Sequence, residues 1–194
     1  IGKGTDERVL RQMQKLDCKV LTFGMTANCD FHPENLTEDD RGYASYDLVG
    51  EGKKLAHVKM AVPGDFNVEN GLAALACAYV LGADMEKAAE SLGRFIGAHR
   101  RFELTDVLNG AEIFHDYGHN PTEMRNAVAV ARKRCKGTLY AVMQPHTFSR
   151  VRTLFNDYLT CTEQADVTVV MDICAAREKD PGDLNSGMLV DGMK

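Results

Sequence analysis

No stretch of this sequence is long and apolar enough to span a bilayer. The longest apolar run, Gly71 to Ala83, is too short and carries a helical pattern instead. The start, Ile-Gly-Lys-Gly-Thr, has no apolar h-region, so a signal peptide is not expected. The first residue is not Met, and the chain is expected to be a piece of something longer with its true start missing. No C-x-x-C pair occurs. The six cysteines (Cys18, Cys29, Cys77, Cys135, Cys161, Cys174) lie far apart, several inside apolar runs. They read as buried or semi-buried, reduced thiols of a cytoplasmic protein, neither disulfide staples nor a zinc site. An excess of basic charge is also absent: 23 Lys and Arg face 28 Asp and Glu, a net charge of −5. Divided at residue 98, the halves carry −4 and −1. A nucleic-acid partner is therefore not expected, nor is a membrane partner.

Four catalytic signatures are missing as well: G-x-x-x-x-G-K-[ST], G-x-S-x-G, H-E-x-x-H and an EF-hand loop. Gly2-Lys3-Gly4-Thr5 echoes the first without its spacing. What remains is ordinary soluble composition, 44% hydrophobic and 26% charged over 194 residues, about one to one and a half domains.

The pattern is α/β. An amphipathic helix is expected from Thr5-Asp6-Glu7 to Leu16, then a strand from Lys19 to Gly24 and a polar stretch from Asn28 to Asp40. Tyr43 to Val49 and Leu55 to Val62, joined by Gly50-Glu51-Gly52-Lys53, give a hairpin signal. Asn67 to Leu81 reads as a helix that Asn67 can cap and Gly82 ends. Asp84 caps another, to about Phe95. From about Arg100 the rhythm changes. Arg101 to Val107 and Ala111 to His115 are strands, and Asn120-Pro121-Thr122-Glu123 starts a helix to about Cys135. Thr138 to Met143 and Val167 to Met171 are unbroken apolar strands, as in a parallel sheet covered on both faces. A helix is expected over roughly Ser149 to Cys161, and another begins near Ser186 and stops mid-pattern.

Ligands of doubly wound sheets bind beyond the carboxyl ends of the strands. Three strands here end in polar segments: His115-Asp116-Tyr117-Gly118-His119-Asn120-Pro121, then Gln144-Pro145-His146-Thr147-Phe148-Ser149-Arg150, then Asp172-Ile173 followed by Arg177-Glu178-Lys179-Asp180. Parallel neighbours would bring Asp116, His119, His146 and Arg150 into one crevice. Singly, each has a plainer explanation: Asp116 can satisfy loop amides, and Asn120 is accounted for by capping. Together they point to chemistry. Asp116, His119 and His146 would also suit a two-His-one-carboxylate metal site, the basis of a rival metal-dependent hydrolase. A non-catalytic nucleotide-binding module is a further alternative, favoured by the missing phosphate loop. In the first half, Asn70 lies one turn into a helix, where its amide offers a nucleobase both donor and acceptor. Arg100-Arg101 places guanidinium forks, which match phosphate, at the boundary between the halves.

These segments resemble the Mur ligase family. The likeness is carried by Pro63-Gly64-Asp65-Phe66-Asn67-Val68-Glu69-Asn70-Gly71-Leu72-Ala73-Ala74 and by Gly97-Ala98-His99-Arg100-Arg101-Phe102-Glu103. It continues through Asp116-Tyr117-Gly118-His119-Asn120-Pro121-Thr122-Glu123, Gln144-Pro145-His146-Thr147-Phe148-Ser149-Arg150 and Ala176-Arg177-Glu178-Lys179-Asp180. It implies that residues 1–98 are the rear part of the central ATPase domain. Residues 99–194 would be the C-terminal Rossmann-like domain, with a mainly parallel sheet, truncated at its end. The member most resembled joins L-alanine to UDP-N-acetylmuramate in peptidoglycan precursor synthesis: ATP phosphorylates the carboxylate, and the amine then attacks the acyl phosphate. Carried over by position, Asn70 would contact adenine, Arg101 the ATP phosphates, and Asp116 would bind near the ribose. Tyr117, His119, His146 and Arg150 would line the L-alanine and acyl-phosphate site, with His119, His146 and Arg150 catalytic. Mg²⁺ would be held mostly by residues outside this chain, and the partners would be small molecules and the missing N-terminal part of the same chain. Phe66, His115 and Asn120 depart from the family pattern, which weakens any role for those positions. Without the phosphate loop the isolated chain is expected to be inactive.

Overall fold

Asp6 opens the first helix as its N-cap, its carboxylate accepting from the amides of Arg8 and Val9. The computed structural model describes residues 1–193, which divide into two compact units, Ile1–Gly97 and the residues from Ala98 onward. The first contains β1 (Gly2–Lys3), α1 (Glu7–Met13), β2 (Thr22–Phe23), β3 (Phe31–Glu38), β4 (Ala44–Gly50), β5 (Lys53–Lys59), α2 (Asp65–Val80) and α3 (Met85–Gly93). Its five strands form one sheet in sequence order, parallel from β1 to β3 and antiparallel from β3 to β5. The hairpin signal is realised by Glu51 and Gly52, at φ 46° and 77°, a two-residue turn that needs positive φ. Helix α2 lays Val68, Leu72, Leu75 and Ala76 into one cluster with Phe31, Tyr46, Leu48 and Val58 of the sheet. Fully burying such a side chain contributes about 1.5–3 kcal/mol before conformational entropy is counted.

Two expectations change in this unit, and one element is added. Within the polar stretch, Phe31–Glu38 form β3. Only the first two positions, Phe31 and His32, are buried; Pro33 is half-buried and Glu34 to Glu38 face water while the strand pairs with β4. The strand expected from Lys19 to Gly24 shrinks to Thr22–Phe23, with Lys19 and Val20 exposed. Asn67 is not the cap of α2. Gly64, at φ 100°, holds that position and the helix begins at Asp65, so Asn67 sits inside the first turn and donates to the Pro63 carbonyl at 2.7 Å.

The second unit contains β6 (Glu103–Leu108), β7 (Ala111–His115), α4 (Pro121–Arg134), β8 (Tyr140–Met143), α5 (Phe148–Thr153), α6 (Phe155–Tyr158), β9 (Val167–Val170) and α7 (Ser186–Gly192). β6 and β7 form an antiparallel hairpin, and β8 and β9 pair in parallel. Helix α4 starts as the sequence dictates. Asn120 caps it by accepting from the Glu123 amide, Pro121 opens the first turn, and Arg132, Lys133 and Arg134 meet the negative end of its dipole. Met124, Met143, Phe148, Val151, Tyr158, Cys161, Leu184 and Leu189 form the core of this unit.

Two expectations change here as well. β8 and β9 are not covered on both faces. Met143 is buried, whereas Tyr140, Val142, Val167 and Val169 are exposed, so an all-apolar strand hides a one-sided burial. The helix expected from Ser149 to Cys161 is broken at Leu154 (φ −110°, ψ 22°), which separates α5 from α6.

Candidate active site

The site residues of the second unit stand on the segments that leave β7 and β8. Beyond β7 the chain turns at Asp116, whose carboxylate accepts from the amides of Phe102 (2.8 Å) and Gly118 (2.6 Å). This aspartate does satisfy loop amides, and only its remaining lone pairs can serve a ligand. Three residues on, His119 Nδ1 lies 3.0 Å from the Tyr117 carbonyl. A carbonyl can only accept, so Nδ1 carries the hydrogen and, in the neutral ring, Nε2 holds the lone pair. The His119 amide donates to Glu123 at 3.0 Å, and the His119 carbonyl accepts from the buried Tyr158 hydroxyl at 2.8 Å. The backbone on both sides of the ring is thereby tethered.

Beyond β8 the parallel ladder continues one step into the loops, as an isolated bridge between His146 and Cys174. Arg150, one turn into α5, reaches back. Its Nη1 donates to the His146 carbonyl at 3.0 Å and stands 3.4 Å from His146 Nδ1. The two histidines meet edge to face with centroids 5.5 Å apart, and Tyr117 packs on His119 at the same separation. Arg101 lies over the Tyr117 ring at 5.7 Å and 4.0 Å from Glu123. Asp116, Tyr117, His119 and His146 line a groove of about 510 Å³, which continues between β7, α4 and β8 over Phe114, Val128 and Val142. Arg101 and Arg150 do not line it.

The sequence-picked residues of this unit therefore come together, although β7 and β8 are not paired strands. Asn70 belongs to the other unit, where it is exposed on the second turn of α2, its amide 3.4 Å from the Asn67 side-chain oxygen. Lys3 of the glycine-rich echo is engaged by Glu69 at 2.6 Å. Sequence reasoning missed two supports of the site. Glu123 reads only as a helix-start residue, and Tyr158 gives no signal at all.

The metal reading does not survive this geometry. Asp116 faces backbone amides, and among the described residues no three His, Cys, Asp or Glu side chains converge on a point that could hold an ion. The same observation leaves Mg²⁺ without a ligand set among the described residues. All six cysteines are free, and full or partial burial holds for four of them only: Cys18 and Cys77 are exposed. No helix among the described residues is long and apolar enough to cross a membrane.

Comparison with known proteins fixes the family. The Mur ligase middle-domain model matches residues 3–78, and the Mur ligase glutamate ligase domain model matches residues 100–194. The chain belongs to the Mur ligase family. It is 37% identical over 194 residues to UDP-N-acetylmuramate–L-alanine ligase of Clostridium perfringens, covering all of this chain and 42% of that protein. The protein of the same name from Agathobacter rectalis is 41% identical over 191 residues, with 98% of this chain and 42% of the relative covered. The chain thus spans about two-fifths of the length of these Mur ligases. Among solved structures, UDP-N-acetylmuramate-alanine ligase from Thermotoga maritima aligns with TM-score 0.70 at 26% identity, over 89% of this chain and 36% of that one. MurF from Acinetobacter baumannii aligns with TM-score 0.71 at 22% identity over 87% of this chain and 37% of its own, a likeness of fold alone.

Proposed function

We propose that these residues are part of an ATP-dependent ligase that joins L-alanine to UDP-N-acetylmuramate. The carboxylate oxygen attacks the γ-phosphorus of ATP and ADP leaves. The alanine nitrogen then attacks the acyl-phosphate carbon, phosphate departs with its bonding electrons, and the nitrogen gives up a proton. The observation that carries this reading is the meeting of His119 and His146, at 5.5 Å, on one groove, with the Arg150 guanidinium held against His146. Such a group suits an amino acid: a guanidinium grips the carboxylate and an imidazole orients or deprotonates the amine. His119 is the better base of the two, because its Nδ1 hydrogen is spent on a carbonyl and its Nε2 lone pair is left for the amine. His146, with its Nδ1 turned toward the Arg150 guanidinium, orients and donates through Nε2.

ATP fits the remaining residues by chemistry. The exposed Asn70 carboxamide can read an adenine edge, Arg101 can meet phosphate, and the spare lone pairs of Asp116 can accept from a ribose hydroxyl. Catalysis on this reading is positional and electrostatic. A cytoplasmic location follows from such substrates.

The test is phosphate release by the longer parent protein with ATP, Mg²⁺ and UDP-N-acetylmuramate, comparing L-alanine with glycine, L-serine and D-glutamate. Release that depends on L-alanine is the expected result. A parent silent with every amino acid overturns the reading. The 194-residue chain, run beside it, is expected to release none, since it carries no G-x-x-x-x-G-K-[ST] segment.

A further inference from the structure

We propose that Glu178 is a positioning residue that holds His146 and Arg150 in their working geometry, by capping a helix that lacks a cap of its own. The proposal rests on the ligase reading for what those two side chains do. Its structural half stands apart from that reading.

Helix α5 begins badly. Its N-cap, Thr147, caps no first-turn amide with its side chain and sits at φ 50°, ψ 155°. A β-branched residue rarely adopts this conformation, and such backbone persists only where its surroundings enforce it. Thr147 follows His146 directly and precedes Arg150 by three residues, so the strained turn decides how both site residues project. The enforcing contact comes from 29 residues further along. Glu178 Oε2 accepts from the Ser149 amide at 2.9 Å, and Oε1 accepts a short hydrogen bond from the Ser149 hydroxyl. The Thr147 hydroxyl lies 3.2 Å from the Ser149 hydroxyl, which extends the chain of polar contacts into the strained residue. A first-turn amide that a local cap would satisfy is thus taken by a distant carboxylate. Glu178 is held below the usual carboxylate range by the Ser149 side chain and amide, so it is an anion at neutral pH, set against the positive end of the helix.

The segment that delivers Glu178 is itself fixed. Cys174 donates to the Pro145 carbonyl at 2.9 Å, which continues the β8–β9 register into the loops. The Glu178 amide then donates to the Ala175 carbonyl across a turn that holds Ala176 at φ 53°. Glu178 therefore touches two strained turns, the one at Ala176 through its own backbone amide and the one at Thr147 through the hold of its carboxylate on Ser149. The polar stretch Arg177-Glu178-Lys179-Asp180, which the sequence places at a third strand end, takes part through Glu178. It acts from behind the site, since Glu178 is not among the residues lining the groove.

Two measurements decide the matter. In the longer parent protein, Glu178→Ala is expected to raise KM for L-alanine at least about tenfold and leave KM for ATP within about twofold, while Glu178→Gln, which keeps an acceptor oxygen, recovers part of the loss. A merely structural role would lower kcat through the fraction of folded enzyme and leave both KM values alone. In the 194-residue chain, hydrogen exchange at the Ser149 amide is expected to speed up at least about tenfold in Glu178→Ala, while exchange in α4 stays as it was. An unchanged Ser149 amide overturns the clamp. A faster amide with an unchanged L-alanine KM overturns the positioning role. If the wild-type parent has no ligase activity the functional reading fails, and the exchange result still decides the clamp.

Discussion

The hydroxyl of Tyr158, in the core of the second unit, donates to the backbone carbonyl of His119 at 2.8 Å. The ring is fully buried, so packing fixes the position of the hydroxyl and the hydroxyl fixes the loop that carries the candidate base. Tyr158→Phe keeps the packing and removes the tether. It is expected to lower the stability of the second unit by about 1 kcal/mol, read from the denaturant midpoint. In the parent protein it should also raise KM for L-alanine more than it lowers kcat.

Tyr46 is the counter-case. It is equally buried, in the first unit, yet its hydroxyl finds no hydrogen-bond partner among the described residues, and burial pushes its pKa well up. Removing an unsatisfied polar atom without changing shape is neutral or favourable. Tyr46→Phe is therefore expected to hold or raise the denaturant midpoint. A clear loss of stability would mean that the hydroxyl has a partner after all.

The capping of α4 gives a third test. Asn120→Ala removes the acceptor for the Glu123 amide and is expected to cost about 1 kcal/mol, whereas Asn120→Asp should be nearly silent. Because Glu123 also receives the His119 amide, loosening the first turn of α4 should speed hydrogen exchange at His119.

Asp47 supplies a pH dependence. Hydrogen bonds from Lys54, His57 and Asn35 hold its carboxyl well below the usual carboxylate range. A depressed folded-state value means that its contribution is complete above the unfolded value of about 3.9 and is lost as pH falls below it toward the folded value. Thermal melts of wild type and Asp47→Asn should therefore differ near neutrality and converge in acid. Parallel curves across that range would remove the assignment.

Thiol labelling separates the cysteines. Burial pushes Cys161 up to about 11, whereas Cys18 and Cys77 are exposed. Mass spectrometry after brief alkylation of the folded chain should find Cys18 and Cys77 modified and Cys161 intact, with Cys161 reacting only after denaturation.

The α/β class and the start of α4 were legible in the sequence because local rules set them. Asn120, Pro121 and Glu123 act within one helical turn, and the β4–β5 turn is written in Glu51 and Gly52. β3 was not legible, because its last five residues face water and only pairing with β4 makes them a strand. Nor was the one-sided burial of β8, since Tyr140 and Val142 are as apolar in sequence as Met143. In the candidate site, His119, His146 and Arg150 were legible as polar residues at strand ends. Glu178 was legible only as part of a polar strand end and Tyr158 not at all, because their partners lie 29 and 39 residues away, beyond the reach of any spacing rule.

The left-handed turn at Thr147 also says how this protein would respond to selection. Glycine is the one residue for which that backbone is not strained, so Thr147→Gly relieves about 1–3 kcal/mol of local strain. It also gives the segment between His146 and Arg150 a wide choice of conformations. A search for heat-resistant variants would enrich glycine here, and a search for turnover would reject it. Position 147 is where durability and activity pull the sequence in opposite directions.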